Sequence, residues 1–114
     1  MLMAKSSSVT EPVSGEAVFP LEGEIDLHLS PSVSASLQEI LARRPRRVLV
    51  DLSRVSYVDS SAIAVFIEAM QEVEKYGGTF GLIGLQDSVR SIFEFARLNQ
   101  VFKIFPDLAT ASAA

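Results

Sequence analysis

The sequence VLVDLSRVSYVDSSA, residues 48–62, decides the fold of this chain. It begins with the run Val48–Leu52, which is apolar apart from Asp51, has a β-branched bias and is typical of a strand covered on both faces. A predicted loop over residues 53–58 then leads to the polar triplet Asp59-Ser60-Ser61, which opens an amphipathic helix predicted over residues 60–76. A buried strand followed by such a helix is the repeating unit of a parallel α/β sheet.

Strand and helix patterns alternate along the rest of the chain. Apolar residues predict strands over residues 16–25, 79–83 and 101–105. Helical spacing predicts a first helix over residues 31–42, capped by Ser30, and a third helix that opens at Gln86-Asp87-Ser88. The apolar stripes of the second and third helices are Ile63, Phe66, Ile67, Met70 and Val73, and Val89, Ile92, Phe93 and Ala96. The chain is therefore predicted to be a single α/β domain, with a mixed four- to five-stranded sheet and helices packed on it.

The domain itself is predicted over residues 16–107. Residues 1–15 are small and polar, and we interpret them as a flexible arm or a short edge strand. Residues 108–114 are rich in alanine, and we expect this tail to fray instead of forming a full helix. Four phenylalanines are expected in the core: Phe93, Phe95, Phe102 and Phe105.

Composition excludes several classes of function. With no cysteine and one histidine, the chain lacks thiol chemistry and the ligands of a transition-metal site, and we expect neither a metal nor a cofactor. A net charge of −4 disfavours direct binding to nucleic acid. The longest apolar stretch, residues 62–67, is too short for membrane insertion, and the first residues lack the apolar core of a signal peptide. We therefore expect a cytoplasmic protein whose ligand is another protein.

The triplet Asp59-Ser60-Ser61 has two interpretations. Asp and Ser are favoured helix caps, so the triplet is explained in part by capping alone. One residue suffices as a cap, however, so at least one hydroxyl is expected to remain available for modification. A phosphate there adds a charge of about −1.5 to −2 at neutral pH, close to Asp59 and to the predicted positions of Asp26 and Glu24. Such a group would repel a partner that fits the unmodified surface.

Other candidate sites are weaker. Asp26, His28 and Ser61 invite comparison with a hydrolase triad, but no Gly-x-Ser-x-Gly turn accompanies them, so no catalytic residue is predicted. The glycines at positions 77, 78, 81 and 84 do not join a strand to a helix that carries a lysine, as a phosphate loop does. The four arginines around Pro45 are interpreted as a solvated turn or as a docking surface.

Residues 48–62 resemble the central segment of STAS domains, which occur in anti-sigma factor antagonists and in the cytoplasmic tails of sulphate transporters. The segment Gly23-Glu24-Ile25-Asp26 is similar to the Gly-Glu-Leu-Asp segment of that family, and residues 84–90 resemble its late loop and helix. The resemblance covers about residues 16–107. It is interrupted at Ala62, where many members have glycine, at Ala96-Arg97, where a Thr-Gly pair is common, and in the short alanine-rich end.

The resemblance implies that Ser61 is phosphorylated by an anti-sigma factor that is also an ATP-dependent serine kinase, and that a metal-dependent serine phosphatase reverses this. The unmodified protein would bind the anti-sigma factor and free a sigma factor, so it would regulate transcription without being an enzyme. Asp26, Asp59 and Ser60 would support the phosphorylation site or contact the partner. We expect a monomer or a weak dimer.

Two other roles remain open for a domain of this kind. One is a scaffold subunit of a stress-sensing STAS assembly. The other is a cytoplasmic accessory subunit of a lipid or anion transporter.

Overall fold

Strands and helices alternate throughout residues 15–114, the part of the chain that the computed structural model describes. The predicted arm at residues 1–15 falls almost entirely outside the described residues. The four described strands are β1 (Glu16–Ile25), β2 (Arg47–Val58), β3 (Thr79–Ile83) and β4 (Lys103–Phe105). The four described α-helices are α1 (Ser30–Leu41), α2 (Ser60–Lys75), α3 (Asp87–Phe95) and α4 (Leu108–Ala113), and a 3₁₀ turn at Leu98–Gln100 precedes β4. The predicted α/β domain is thus confirmed.

The described strands form one sheet in the order β1-β2-β3-β4, and all three pairings are parallel. Because each right-handed crossover advances the chain in the same direction, α1, α2 and α3 cover the same face of the sheet. That face carries the larger core, in which Phe19, Phe66 and Phe93 are fully buried. The other face packs Leu49 and Ile83 against Ala111 of α4.

The predicted loop at residues 53–58 is wrong, because β2 continues to Val58. These residues keep pairing with β1, as far as Ile25 opposite Val58, through two register shifts. Val55 and Val58 are buried between exposed Ser, Arg and Tyr side chains, a spacing that does not follow strict alternation. As a result, β1 and β2 end side by side, immediately before α1 and α2.

The predicted tail is also wrong, since residues 108–113 form α4. Asp107 caps this helix by accepting a hydrogen bond of 2.8 Å from the N–H of Thr110. Fully buried Glu16 accepts hydrogen bonds from Arg47 at 3.0 Å and from the Ser112 hydroxyl at 2.9 Å. Arg47 also donates to the backbone oxygens of Ser112 and Ala114. We call Glu16, Arg47 and Ser112 the tail clasp.

The last strand is shorter than predicted, since β4 begins at Lys103 and not at residue 101, and the predicted core also differs in part. Phe93 and Phe102 are buried and Phe105 is partly buried, but Phe95 is 94% exposed, so its place in the predicted core is wrong. In α3, Val89 and Phe93 are buried, whereas Ala96 lies beyond the helix and is exposed. In α2 the buried residues are Ala62, Phe66, Ala69 and Val73, while the predicted Ile63, Ile67 and Met70 are only partly buried.

The turn after α3 keeps a left-handed residue although it has no glycine. Arg97 has a φ of 59°, in the left-handed region that residues other than glycine rarely adopt. The unusual Ala96-Arg97 pair therefore makes the tight turn with an arginine.

Candidate functional site

The candidate site lies at the carboxyl ends of β1 and β2, which form one edge of the sheet. Asp26 directly follows β1, and Asp59 directly follows β2. The N–H of Asp59 donates to the carbonyl oxygen of Ile25 at 3.2 Å, so the two strand ends are held together. This pairing brings the first turns of α1 and α2 next to each other.

Asp59 is the N-cap of α2. Its Oδ1 atom accepts hydrogen bonds from the N–H groups of Ser61, at 2.9 Å, and Ala62, at 3.2 Å. The capping interpretation of the triplet is therefore confirmed, because two N–H groups at the start of α2 are bonded to this carboxylate. The pKa of the Asp59 carboxyl lies below its ordinary value of 3.8. The hydrogen bond from the Ser61 hydroxyl has the largest effect, and hydrogen bonds from backbone N–H groups, including that of Leu27, lower the pKa further. Burial of the carboxyl acts in the opposite direction.

Ser61 lies in the first turn of α2, is half-buried, and has its hydroxyl already engaged. The hydroxyl donates to Oδ1 of Asp59 at 2.5 Å. Its oxygen also lies 2.7 Å from the hydroxyl oxygen of Ser30, a pair in which either atom can be the donor. Ser60 is exposed. Ser61 is thus partly exposed as a residue, while its hydroxyl is held by two neighbours.

Ser30 is the site residue that the sequence did not reveal. It was predicted as the cap of α1, but Leu29 holds the cap position and makes no side-chain capping bond. Ser30 is instead the first residue of the helix, is 4% exposed, and contacts Ser61 from 31 positions away. A serine followed by proline is common at the start of a helix, so the sequence around Ser30 does not indicate a contact with Ser61. The contact could have been predicted only from the topology, because two adjacent parallel strands bring the starts of the helices that follow them together.

Asp26 is connected to Ser61 by way of Ser30, which is hydrogen-bonded to both residues. Its carboxylate accepts from the backbone N–H groups of His28, at 2.9 Å, and Leu29, at 3.3 Å. Its carbonyl oxygen accepts from the hydroxyl of Ser30 at 2.9 Å. The contact between Asp26 and His28 is therefore made by the backbone, and it is not the imidazole-carboxylate contact of a hydrolase triad.

Two exposed apolar side chains accompany the polar residues at this edge. Leu27, next to Asp26, is 71% exposed, and Tyr57, two positions before Asp59, is 45% exposed. Apolar and aromatic groups beside exposed polar groups are typical of the surfaces that bind other proteins. This edge thus exposes apolar and aromatic side chains beside the Ser61 hydroxyl.

Metal and ligand sites are not evident at this edge. Among residues 15–114, no group of three or more His, Cys, Asp and Glu side chains is arranged to hold a metal ion. A cavity of about 480 Å³ lies at the other ends of α1 and α2, where Gln38, Arg44 and Tyr76 contribute to its lining. None of the helices in the described part is long and apolar enough to cross a membrane.

The sequence and the fold are similar to those of known proteins. The family model described as the STAS domain matches residues 7–111. The anti-sigma-B factor antagonist of Listeria monocytogenes is 30% identical over 82 residues, which are 72% of this chain and 72% of the relative.

Two solved structures share the fold. An anti-sigma factor antagonist from Mycobacterium paratuberculosis superimposes with a TM-score of 0.81 at 25% identity, covering 98% of this chain and 97% of the other. The Bacillus cell fate determinant SpoIIAA in its phosphorylated form superimposes with a TM-score of 0.71 at 20% identity, covering 93% and 96%. Because the family match spans nearly the whole chain and the identity to a relative extends over most of both sequences, this chain belongs to the STAS domain family, among the anti-sigma factor antagonists.

Proposed function

We propose that the protein binds an anti-sigma factor that has serine kinase activity, and that phosphorylation of Ser61 by this partner ends the interaction. The observation that carries the proposal is the position of the Ser61 hydroxyl. It lies half-buried at the start of α2, 2.5 Å from a carboxylate and on an edge that also exposes Leu27 and Tyr57. A cytoplasmic location and a monomeric or weakly dimeric state belong to the same proposal.

The modification replaces the hydroxyl proton of Ser61 by a phosphoryl group. The hydroxyl oxygen forms a bond to the γ-phosphorus of ATP, and the bond from that phosphorus to the bridging oxygen breaks. ADP leaves with the electron pair, and the hydroxyl proton passes to solvent. A metal-dependent serine phosphatase would restore the hydroxyl by transferring the phosphoryl group to water.

Electrostatics explain why one phosphate is enough. The new group has a charge of about −1.5 to −2 at neutral pH and would be attached to the oxygen that now touches the Asp59 carboxylate. A partner that fits the unmodified edge would have to enclose both negative groups. Since about 1.4 kcal/mol already changes affinity tenfold, a like-charge contact in a desolvated interface suffices to release the partner.

Two further residues have supporting roles in this proposal. Ser60 is exposed on the first turn of α2, so it is placed to touch a partner without being the modified residue. Asp26 holds the turn that carries Leu27, through its bonds to the N–H groups of His28 and Leu29. The solved SpoIIAA structure in its phosphorylated form supports the proposal, because that protein has the same fold.

The test is incubation with ATP and a purified anti-sigma factor kinase from the same organism, followed by mapping of the modified residue by mass spectrometry. We expect one phosphate, on Ser61. The variant Ser60→Ala should be labelled like the parent protein, and Ser61→Ala should not be labelled. Label on Ser60, or unchanged labelling of Ser61→Ala, would contradict the assignment.

A further inference from the structure

Ser30, Ser61 and Asp59 form a chain of short oxygen contacts that ends on the backbone of Asp26. The Asp59 carboxylate is 2.5 Å from the Ser61 hydroxyl oxygen, which is 2.7 Å from that of Ser30. The Ser30 hydroxyl oxygen is in turn 2.9 Å from the carbonyl oxygen of Asp26. We call these three contacts the oxygen chain.

The oxygen chain contains more contacts than hydroxyl protons. Two serines supply two protons for three contacts, because a carbonyl oxygen and an ionised carboxylate only accept hydrogen bonds. Asp59 accepts from backbone N–H groups at the same Oδ1 atom, which favours its ionised form. The Ser61 proton is therefore directed to Asp59, and the Ser30 proton is shared between Ser61 and the carbonyl oxygen of Asp26.

Phosphorylation would remove one of these two protons. If Ser61 is the modified residue, as proposed above, its oxygen becomes an ester oxygen and no longer donates. The 2.5 Å contact with Asp59 then joins two acceptors that must move apart. The hydroxyl of Ser30 is the one donor left in the oxygen chain.

We propose that Ser30 is the positioning residue of the phosphorylated state, in which its hydroxyl turns from the carbonyl oxygen of Asp26 and donates to the phosphate on Ser61. This inference rests on the proposed function and deepens it, because it names the residue that holds the modified side chain. The two serines thus have different roles, with Ser61 as the acceptor and Ser30 as the donor to the product.

The surroundings of Ser30 fit this role. Its side chain is buried, and its backbone N–H donates to the carbonyl oxygen of Asp26 at 2.9 Å, so the hydroxyl cannot move far from Ser61. Ser30 is also the first residue of α1, where the positive end of the helix dipole favours a nearby anion. The contact therefore needs a rotation about the C–O bond and no movement of the helix.

The inference can be tested without kinase or partner, by genetically encoding phosphoserine at position 61. The pKa of the phosphate is then measured by ³¹P NMR between pH 4 and pH 9, in the parent and in Ser30→Ala. A hydrogen bond to the more charged form lowers its pKa, so loss of the Ser30 hydroxyl should raise the phosphate pKa by about 0.5. Asp59, Asp26 and His28 are the titratable side chains on the two turns at this site, and all three are the same in both proteins.

Two variants separate a hydrogen bond from a general structural effect. Ser30→Thr keeps the hydroxyl and should return the phosphate pKa toward the parent value. Ser32→Ala removes a hydroxyl from the same turn of α1, outside the oxygen chain, and should leave the pKa unchanged. An equal phosphate pKa in Ser30→Ala and the parent, or an equal rise in Ser32→Ala, would overturn the inference.

A failure of this test is distinguishable from a failure of the proposed function. The phosphate is installed without any kinase, so a protein that is never phosphorylated by its partner would still give the NMR result. Conversely, a phosphate that accepts no hydrogen bond from Ser30 could still release the partner. The thermal unfolding temperatures of the unphosphorylated variants check that all of them are folded.

Discussion

At the scale of single residues, Asp59 has two roles, because it caps α2 and also contacts the serine that is proposed to be phosphorylated. The same Oδ1 atom caps α2 through two N–H groups and receives the Ser61 hydroxyl. A change at Ser61 therefore also alters the environment of the helix cap. The proposed modification at the Ser61 oxygen would therefore also change the contacts of the α2 cap.

The cap gives a prediction for the pH dependence of stability. The pKa of Asp59 is lowered in the folded protein, so its contribution is fully present above the unfolded value, near 3.8, and is lost as the pH falls through the lower folded value. Asp59→Ala should therefore unfold at a lower urea concentration than the parent at pH 7, and the difference should shrink as the pH falls below 3.8. Urea unfolding followed by circular dichroism at several pH values measures both.

The matched control for this prediction is Asp59→Asn. Asparagine is also a good cap but does not ionise. Its urea midpoint at pH 7 should lie between those of the parent and Asp59→Ala. A difference between parent and Asp59→Ala that stays constant from pH 7 to pH 2 would contradict the role assigned to the carboxylate.

At the scale of elements, α4 depends on contacts that are distant in sequence. The helix has only six residues, and its one buried residue is Ala111. The tail clasp connects it to the start of β1 and β2, where Arg47 lies 3.0 Å from the buried carboxylate of Glu16. Short alanine-rich segments are marginal helices by themselves, so we attribute the order of α4 to this ion pair and to the cap at Asp107.

The tail clasp predicts a large effect of a single substitution. Arg47→Met leaves the carboxylate of Glu16 buried without its cation, which typically costs about 3 to 5 kcal/mol. The free energy of unfolding in urea should fall accordingly, and amide exchange in α4 should become faster.

The double variant Glu16→Leu/Arg47→Met is the control for this prediction. It removes both charges, so it should recover much of the lost stability. If Arg47→Met alone were as stable as the parent, the tail clasp would not hold α4.

The elements that the sequence predicted best are those with local signals. Residues 60–76 had an apolar stripe, a capping triplet and a Gly77-Gly78 stop, and α2 was predicted to within one residue at its end. The end of β2 was missed because its buried residues, Leu52, Val55 and Val58, are three positions apart and do not follow the alternation of a half-buried strand. This segment becomes a strand by pairing with β1, a contact that nearby residues do not reveal. The order of α4 depends on the tail clasp as well as on the local cap at Asp107, and the contacts of the clasp are distant in sequence.

The residues of the candidate site, like the elements of the fold, could be predicted where their signals are local in sequence. The junction between β2 and α2 marked Asp59, Ser60 and Ser61, because a strand end and a helix start are local features. Ser30 was assigned to capping because its contact with Ser61 spans 31 positions. The left-handed conformation of Arg97 was likewise not predicted, because no glycine marks that turn.

At the scale of the whole molecule, the fold separates a modifiable edge from a basic end. The parallel strands place Ser61 and the exposed Leu27 and Tyr57 at their carboxyl ends. Of the four arginines around Pro45, Arg43, Arg44 and Arg46 lie between α1 and β2, at the opposite ends of the strands, whereas Arg47 begins β2 and belongs to the tail clasp. A partner bound at the carboxyl ends would therefore directly meet a phosphate attached to Ser61, as proposed above.

The central claim is that negative charge at position 61 expels the anti-sigma factor, and calorimetric titration of that partner tests it most directly. The parent protein and Ser61→Ala should bind with similar affinity. Ser61→Asp should bind at least about tenfold more weakly, a difference of about 1.4 kcal/mol, because its carboxylate lies beside that of Asp59. Ser60→Asp, with the same charge on an exposed neighbouring residue, should bind more tightly than Ser61→Asp. Binding of Ser61→Asp as tight as that of the parent would contradict the account.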